Sequence, residues 1–231
     1  MKGNNLLFLL LIISVQLSAQ INMVSKKIFL DSLNQECKPE NHIYTRVITN
    51  YSQKSVRYVV TDYYKNGRKK MTGSTLDRDV LKKDGEFIYY FKNGAKESVV
   101  NYSDDHKNGK EINWYENQNK KSEKQNLWDS TTKKSQTLII NCWETDKTQT
   151  VTDGNGEYEE TEGFVTQKGE IKNGLKQGVW QGNDLSKNIS FTDNYDKGVL
   201  ISGFSIDANN IKTSYSSLAE KQTGRKVLKS K

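Results

Sequence analysis

Two copies of one ten-residue unit, 24 residues apart, constrain this chain more than anything else in it. The first is Gly-Glu-Phe-Ile-Tyr-Tyr-Phe-Lys-Asn-Gly from Gly85; the second is Gly-Lys-Glu-Ile-Asn-Trp-Tyr-Glu-Asn-Gln from Gly109. The aromatic and β-branched run 87–91 suits a pleated surface. Alternation along a strand puts Phe87, Tyr89 and Phe91 on one face, with Ile88 and Tyr90 on the other. Asn93-Gly94 follows at once and predicts a type I′ turn, after which residues 96–102 return as a second strand. One unit is thus a hairpin. A lone hairpin is marginal in water, so a fixed period implies stacked copies that bury one another's rings.

The pattern recurs along the chain. Tyr64-Lys65-Asn66-Gly67 carries the same turn signature 27 residues before Phe91. Asn173-Gly174 and Lys197-Gly198 are turn pairs 24 residues apart, as are the rings Trp180 and Phe204, both expected to pack between stacked hairpins. Residues 42–49 and 56–64 alternate and predict a hairpin across the polar link 50–55, with Val56, Tyr58, Val60 and Tyr64 on one face. Residues 137–143 read as a strand and Asp153-Gly154-Asn155-Gly156 as a tight turn. About 119–134 the sequence is polar and lysine-rich, which predicts an insertion or loop.

The expected fold is therefore mainly β, an elongated antiparallel hairpin array forming an open single-layer sheet over residues 42–212. A lead-in, residues 20–41, holds a short strand or a single helical turn; a basic tail, 213–231, is expected to be disordered. Composition agrees. Apolar residues make up 34%, against roughly 45–50% (glycine included) in ordinary globular chains. With 12 tyrosines the chain can build a thin layer of rings but no thick aliphatic core, which argues against a compact α/β enzyme.

Residues 1–19 have the form of an export signal: basic Lys2, an apolar run 6–15 too short to span a bilayer, then Leu17-Ser18-Ala19. No cysteine follows the run, so a lipid anchor is not supported. The expected location is periplasmic, outer-membrane-associated or extracellular, with no transmembrane span after signal removal. Net charge is +7, from 35 basic and 28 acidic residues interspersed through the hairpins. No nucleic-acid motif accompanies the excess, so no nucleic-acid partner is expected.

Catalytic and metal signatures are sparse. His42 and His106 lie on separate units without a partner at ligand spacing, and a dyad of His106 with Asp104 or Asp105 competes with a solvated loop histidine. Asp153, Asn155 and Glu157 alternate like the start of a calcium loop, but Phe164 occupies the twelfth position, where a bidentate acid belongs. Cys37 and Cys142 are expected to be free thiols rather than a bridge. No catalytic residue, cofactor or metal is assigned.

The pattern of Gly, a ring two residues on, then Tyr or Phe-x-Asn-Gly resembles the MORN-repeat variants, β-hairpin repeats often labelled the antitoxin component of a toxin–antitoxin module. The resemblance covers roughly residues 64–207, most strongly 85–118 and 169–204. Residues 27–31, 153–156 and 174–180 are similar to the repeat region of some Bacteroidetes TonB-like proteins, without their C-terminal domain or Pro-rich span. That similarity implies an envelope location. Together these readings predict a non-catalytic binding or scaffolding protein whose surface includes Ile88, Tyr90, Trp114 and Tyr115, with a protein or an envelope glycan as partner. Weak membrane-surface contact would come from the basic residues of 214–231. The alternatives are an envelope enzyme acting on glycans through Asp104 and Asp105, and an antitoxin-like partner of a toxin.

Overall fold

The computed structural model describes residues 24–52 and 54–223, so the expected export signal lies outside the described residues. All sixteen strands form one open antiparallel sheet in chain order. They are β1 (Lys26–Leu30), β2 (Tyr44–Ile48), β3 (Tyr58–Tyr64), β4 (Lys69–Thr75), β5 (Gly85–Tyr90), β6 (Lys96–Ser103), β7 (His106–Trp114) and β8 (Lys120–Asp129). Then follow β9 (Lys134–Trp143), β10 (Gln149–Thr152), β11 (Asn155–Glu162), β12 (Val165–Lys172), β13 (Leu175–Asp184), β14 (Ile189–Asp196), β15 (Val199–Ile206) and β16 (Lys212–Tyr215). A 3-10 turn (Pro39–Asn41) and helix α1 (Leu218–Thr223) complete it.

The hairpin array is as the sequence predicts, with three corrections to its limits. The lead-in supplies β1, which pairs with β2 over five residues. The expected polar insertion is strand β8, paired on both sides. Residues 213–223, expected to be disordered, form most of β16 and all of α1; residues 224–231 lie outside the described residues.

The repeated turn is also not the one predicted. At Phe91 the N–H donates to Ala95 O and Gly94 N–H donates back to Phe91 O, each at 2.9 Å. Only Gly94 is left-handed, with φ 90°; Asn93 is not. This is a type I turn closed by a bulge, not a type I′ turn. The same bonding recurs at 64–68, 115–119 and 144–148, with Gly67, Gln118 and Lys147 in the left-handed position. Asparagine is there for its side chain. Asn66, Asn93, Asn117 and Asp146 each accept the N–H two residues on, at 2.8–3.0 Å. True type I′ pairs occur instead at Asp104-Asp105, Asp153-Gly154, Asn173-Gly174 and Lys197-Gly198, where both residues have positive φ.

A single layer buries its rings by laying them over glycines. Gly73 faces Phe87 across β4–β5, Gly182 pairs with Phe191, and Gly203 pairs with Tyr215; Trp180 lies over Gly169. At all four glycines a Cβ would collide with the ring. Phe87 and Trp180 are fully buried as a result, without a second layer. Each seeds one core cluster: Ile48, Tyr58, Val60, Met71 and Phe87 in the first, Ile139, Cys142, Val151, Ile171 and Trp180 in the second. Trp180 and Phe204 are not equivalent. Trp180 pairs with Asp193 and Asp193 with Gly203, which puts Phe204 on the opposite face. Val56, expected on the face of Tyr58 and Val60, precedes β3 and is exposed.

Between the clusters the buried face turns polar. The row Phe87–Val100–Glu111–Lys124–Ile139 runs directly across five strands. Glu111 accepts hydrogen bonds from Lys107 and Asn126 at 2.9 Å, and Asn126 accepts one from Thr137 at 2.7 Å. Burial pushes the Glu111 carboxyl up, but those hydrogen bonds and the Lys107 charge outweigh it and hold it below the usual range.

Candidate binding groove

The sheet forks at β10. This four-residue strand meets β9 through Gln149↔Trp143 and Val151↔Cys142, with a register shift between them. It meets β11 only through Val151↔Gly156 and Thr152↔Asn155. One end of the fork is pinned by three backbone hydrogen bonds: Gly154 N–H to Ile140 O (2.7 Å), Gly174 N–H to Gly154 O (2.8 Å) and Ile139 N–H to Gly174 O (2.9 Å). At that crossing Gly154 has φ 77°, and a Cβ there would sit 2.7 Å from Gly174 N. Pinning one end spreads the other, so residues 157–162 separate from β10 while staying paired with β12.

The opened edge of β11 overhangs the buried face of β7 and β8. Between them lies a groove of about 520 Å³, walled by Glu159, Thr161 and Glu162 and floored by Asn113, Ser122 and Lys124. The rings of Phe91, Tyr115 and Tyr158 line it. The repeated turns fix those rings. Tyr115 opens the turn at 115–119 and donates its hydroxyl to Trp143 O at 2.9 Å. Tyr158 stands edge-on to Trp180 with ring centroids 6.5 Å apart, and burial pushes its phenol up.

Carboxylates dominate the lining. Glu97, Glu116, Glu159, Glu160 and Glu162 face two ammoniums, Lys121 and Lys124. Glu160 is already bound to Lys176 at 2.6 Å, and Glu116 accepts from Asn93 at 3.1 Å. The Lys121 and Lys124 ammoniums lie over Tyr115 and Tyr158, 5.4 and 5.9 Å from the ring centroids.

Of the four expected surface residues, Tyr115 turns its ring into the groove; Trp114 lines it but, two residues on from Ile112, directs its ring to the other face, where the Lys96 ammonium lies 5.5 Å from it. Ile88 belongs elsewhere, in the row Thr72–Ile88–Val99–Ile112 on the opposite face. Tyr90 alternates to that same face, and its carbonyl accepts from Tyr64 OH at 2.7 Å. Sequence reasoning missed Tyr158 and the glutamates of β11; the only signal for them was the acidic run 157–162, read as a turn flank and a weak calcium candidate.

The other candidate groups have packing partners. His106 stacks on Trp128 with centroids 3.6 Å apart and bonds the Asp104 carbonyl, while the Asp104 carboxylate pairs with Lys82 at 2.7 Å. His42 packs edge-on against Phe29. No group of three or more metal-ligating side chains occurs among the described residues, and Asp153 sits in its type I′ turn. Cys37 and Cys142 are free; burial pushes the Cys142 thiol up to about 12. No helix among the described residues is long and apolar enough to cross a membrane. No protein-family model matches the chain, and no curated protein matches it either.

Proposed function

We propose that this chain is an exported, non-catalytic binding protein of the MORN-variant repeat type, acting in the bacterial envelope through the groove between β11 and β7–β8. The observation that carries the reading is the fork. A strand left half-paired inside the sheet, facing three rings, is a surface that water alone satisfies poorly. The export form of residues 1–19 supports the compartment. His106 on Trp128 and Asp104 on Lys82 favour packing roles over a hydrolytic dyad. The polar groups of the groove are mostly carboxylates, with two ammoniums, one amide and several hydroxyls that form no nucleophile–base pair, which favours holding a partner over transforming it.

In-cell photo-crosslinking tests this. A benzophenone side chain replacing Phe91 is expected to capture a specific envelope partner, and one replacing Ile88 on the opposite face is not. Absence of an adduct from position 91 in an exported, folded variant would overturn the proposal. So would substrate turnover by the purified protein that is lost in His106→Ala.

A further inference from the structure

We infer that the groove receives an extended peptide segment carrying lysine or arginine, added as a strand to the open edge of β11. This rests on the binding-protein reading above and names the partner's chemistry. Gly163, with φ 60°, and Phe164 close β11 to β12 as a two-residue turn, so Glu162↔Val165 is a hydrogen-bonded pair. The phase then runs through Glu160↔Gln167 and Tyr158↔Gly169. The N–H and C=O groups of Glu159 and Thr161 therefore point away from β12, into the space that β10 vacates. A strand laid there completes a ladder that stops at Gly156.

The other edges of the sheet are protected. The outer edge of β1 is covered by the following loop through Cys37 N–H to Phe29 O at 2.9 Å and a bridge of Leu30 with Glu36. β16 is four residues long and is followed at once by α1, whose Lys221 binds Asp193 at 2.5 Å. Short or covered edges are how sheets avoid unwanted pairing. The edge of β11 is guarded by charge instead. Its glutamates at 157, 159, 160 and 162 would face their own copies if two molecules paired edge to edge, which disfavours a second chain. The same charges favour a cationic strand. Around the groove, five carboxylates face two ammoniums, and Glu97, Glu159 and Glu162 form no salt bridge among the described residues. The rings of Phe91, Tyr115 and Tyr158 supply apolar and cation-binding faces for the alternate side chains of such a segment.

The test uses the purified mature chain and an unstructured eight-residue peptide alternating lysine with valine. Three controls accompany it: the glutamate-for-lysine peptide, an N-acetylglucosamine oligomer, and the lysine peptide N-methylated at every second amide in each of the two phases. The lysine peptide is expected to bind, to slow amide exchange at Glu159 and Thr161, and to lose binding in one N-methyl phase only. Glu159→Gln with Glu162→Gln should weaken it by about three- to tenfold at low salt, with an unchanged melting temperature as the folding control. Binding indifferent to both phases, unchanged exchange at the two amides, preference for the acidic peptide or the oligomer, or no peptide binding would each overturn strand addition. A crosslink from position 91 to a glycan would sink this inference and leave the binding-protein reading standing; no crosslink there removes both.

Discussion

From β3 to β10 the hairpins at one rim turn through five residues, and each turn is tied to the next; from β10 to β15 most turn through two. In the first arm Arg68 donates to Asn93 O at 2.6 Å, Asn93 to Glu116 at 3.1 Å, and Asn119 to Thr145 O at 2.8 Å. In the second the links run from turn backbone to neighbouring strand, as in Gly198 N–H to Lys176 O at 2.8 Å. Three of the four glycine–ring pairs belong to this second arm. The first arm thus spreads its cohesion over many polar contacts at a rim. The second concentrates it in Trp180, Phe191 and Tyr215. The fork lies where one scheme gives way to the other.

The sharpest way to break this comparison is Trp180→Ala. It should cost about 3–5 kcal/mol, read from the denaturant midpoint, because the ring has no second layer to replace it. Gly169→Ala should also destabilise, since its Cβ would meet the indole, yet be nearly neutral once Trp180 is alanine. Additive losses would refute the pairing. Next in size is Lys221→Met. It leaves Asp193 buried with hydrogen bonds from Tyr195 and Tyr215 but no cation, so a loss of about 2–4 kcal/mol is expected. Proteolysis should then begin at the C-terminal end of the sheet.

Alkaline pH separates the arms more gently. Burial raises the Tyr158 phenol, so the neutral form is favoured in the fold. Its contribution is intact below the ordinary value of 10.0 and is lost as pH rises through the higher folded value. Tyr158→Phe should therefore move the alkaline transition of the second arm upward, followed by circular dichroism. Acid acts on the seam between the clusters through Glu111. Its lowered carboxyl stabilises the fold above the ordinary value of 4.5, and that stability is lost as pH falls through the folded value. Glu111→Gln should cost about 1–2 kcal/mol at neutral pH and converge with the parent in acid. The smallest effect is Asn93→Ala, about 1 kcal/mol, measured by thermal melting, because one turn of the rim loses its side-chain bond.

Hairpins with ring and Asn-Gly signals were legible because those residues act locally. β8 was not. Its inward residues Ser122 and Asn126 serve a polar network shared with Glu111 and Thr137, so the apolar alternation that marks a strand is missing. The four-member stack of bulged turns was legible only in part. Its last member, at 144–148, uses Asp146 and Lys147 where the motif has Asn and Gly, and reveals itself only by its hydrogen bonds. Of the predicted surface only Tyr115 faces the groove, because alternation sends the neighbouring Trp114 to the face of Ile112. Ile88 and Tyr90 depended on which face curls inward.

By itself the sequence determined that this chain is a run of antiparallel hairpins, since alternation and turn chemistry are properties of a few neighbouring residues. Tertiary structure alone decided where a ring finds its glycine, how polar contacts cross the middle of the sheet, and that β10 parts from β11. Those outcomes depend on strands distant in sequence meeting in register, and on three backbone hydrogen bonds that tie two turns to each other and to β9, which no local pattern encodes.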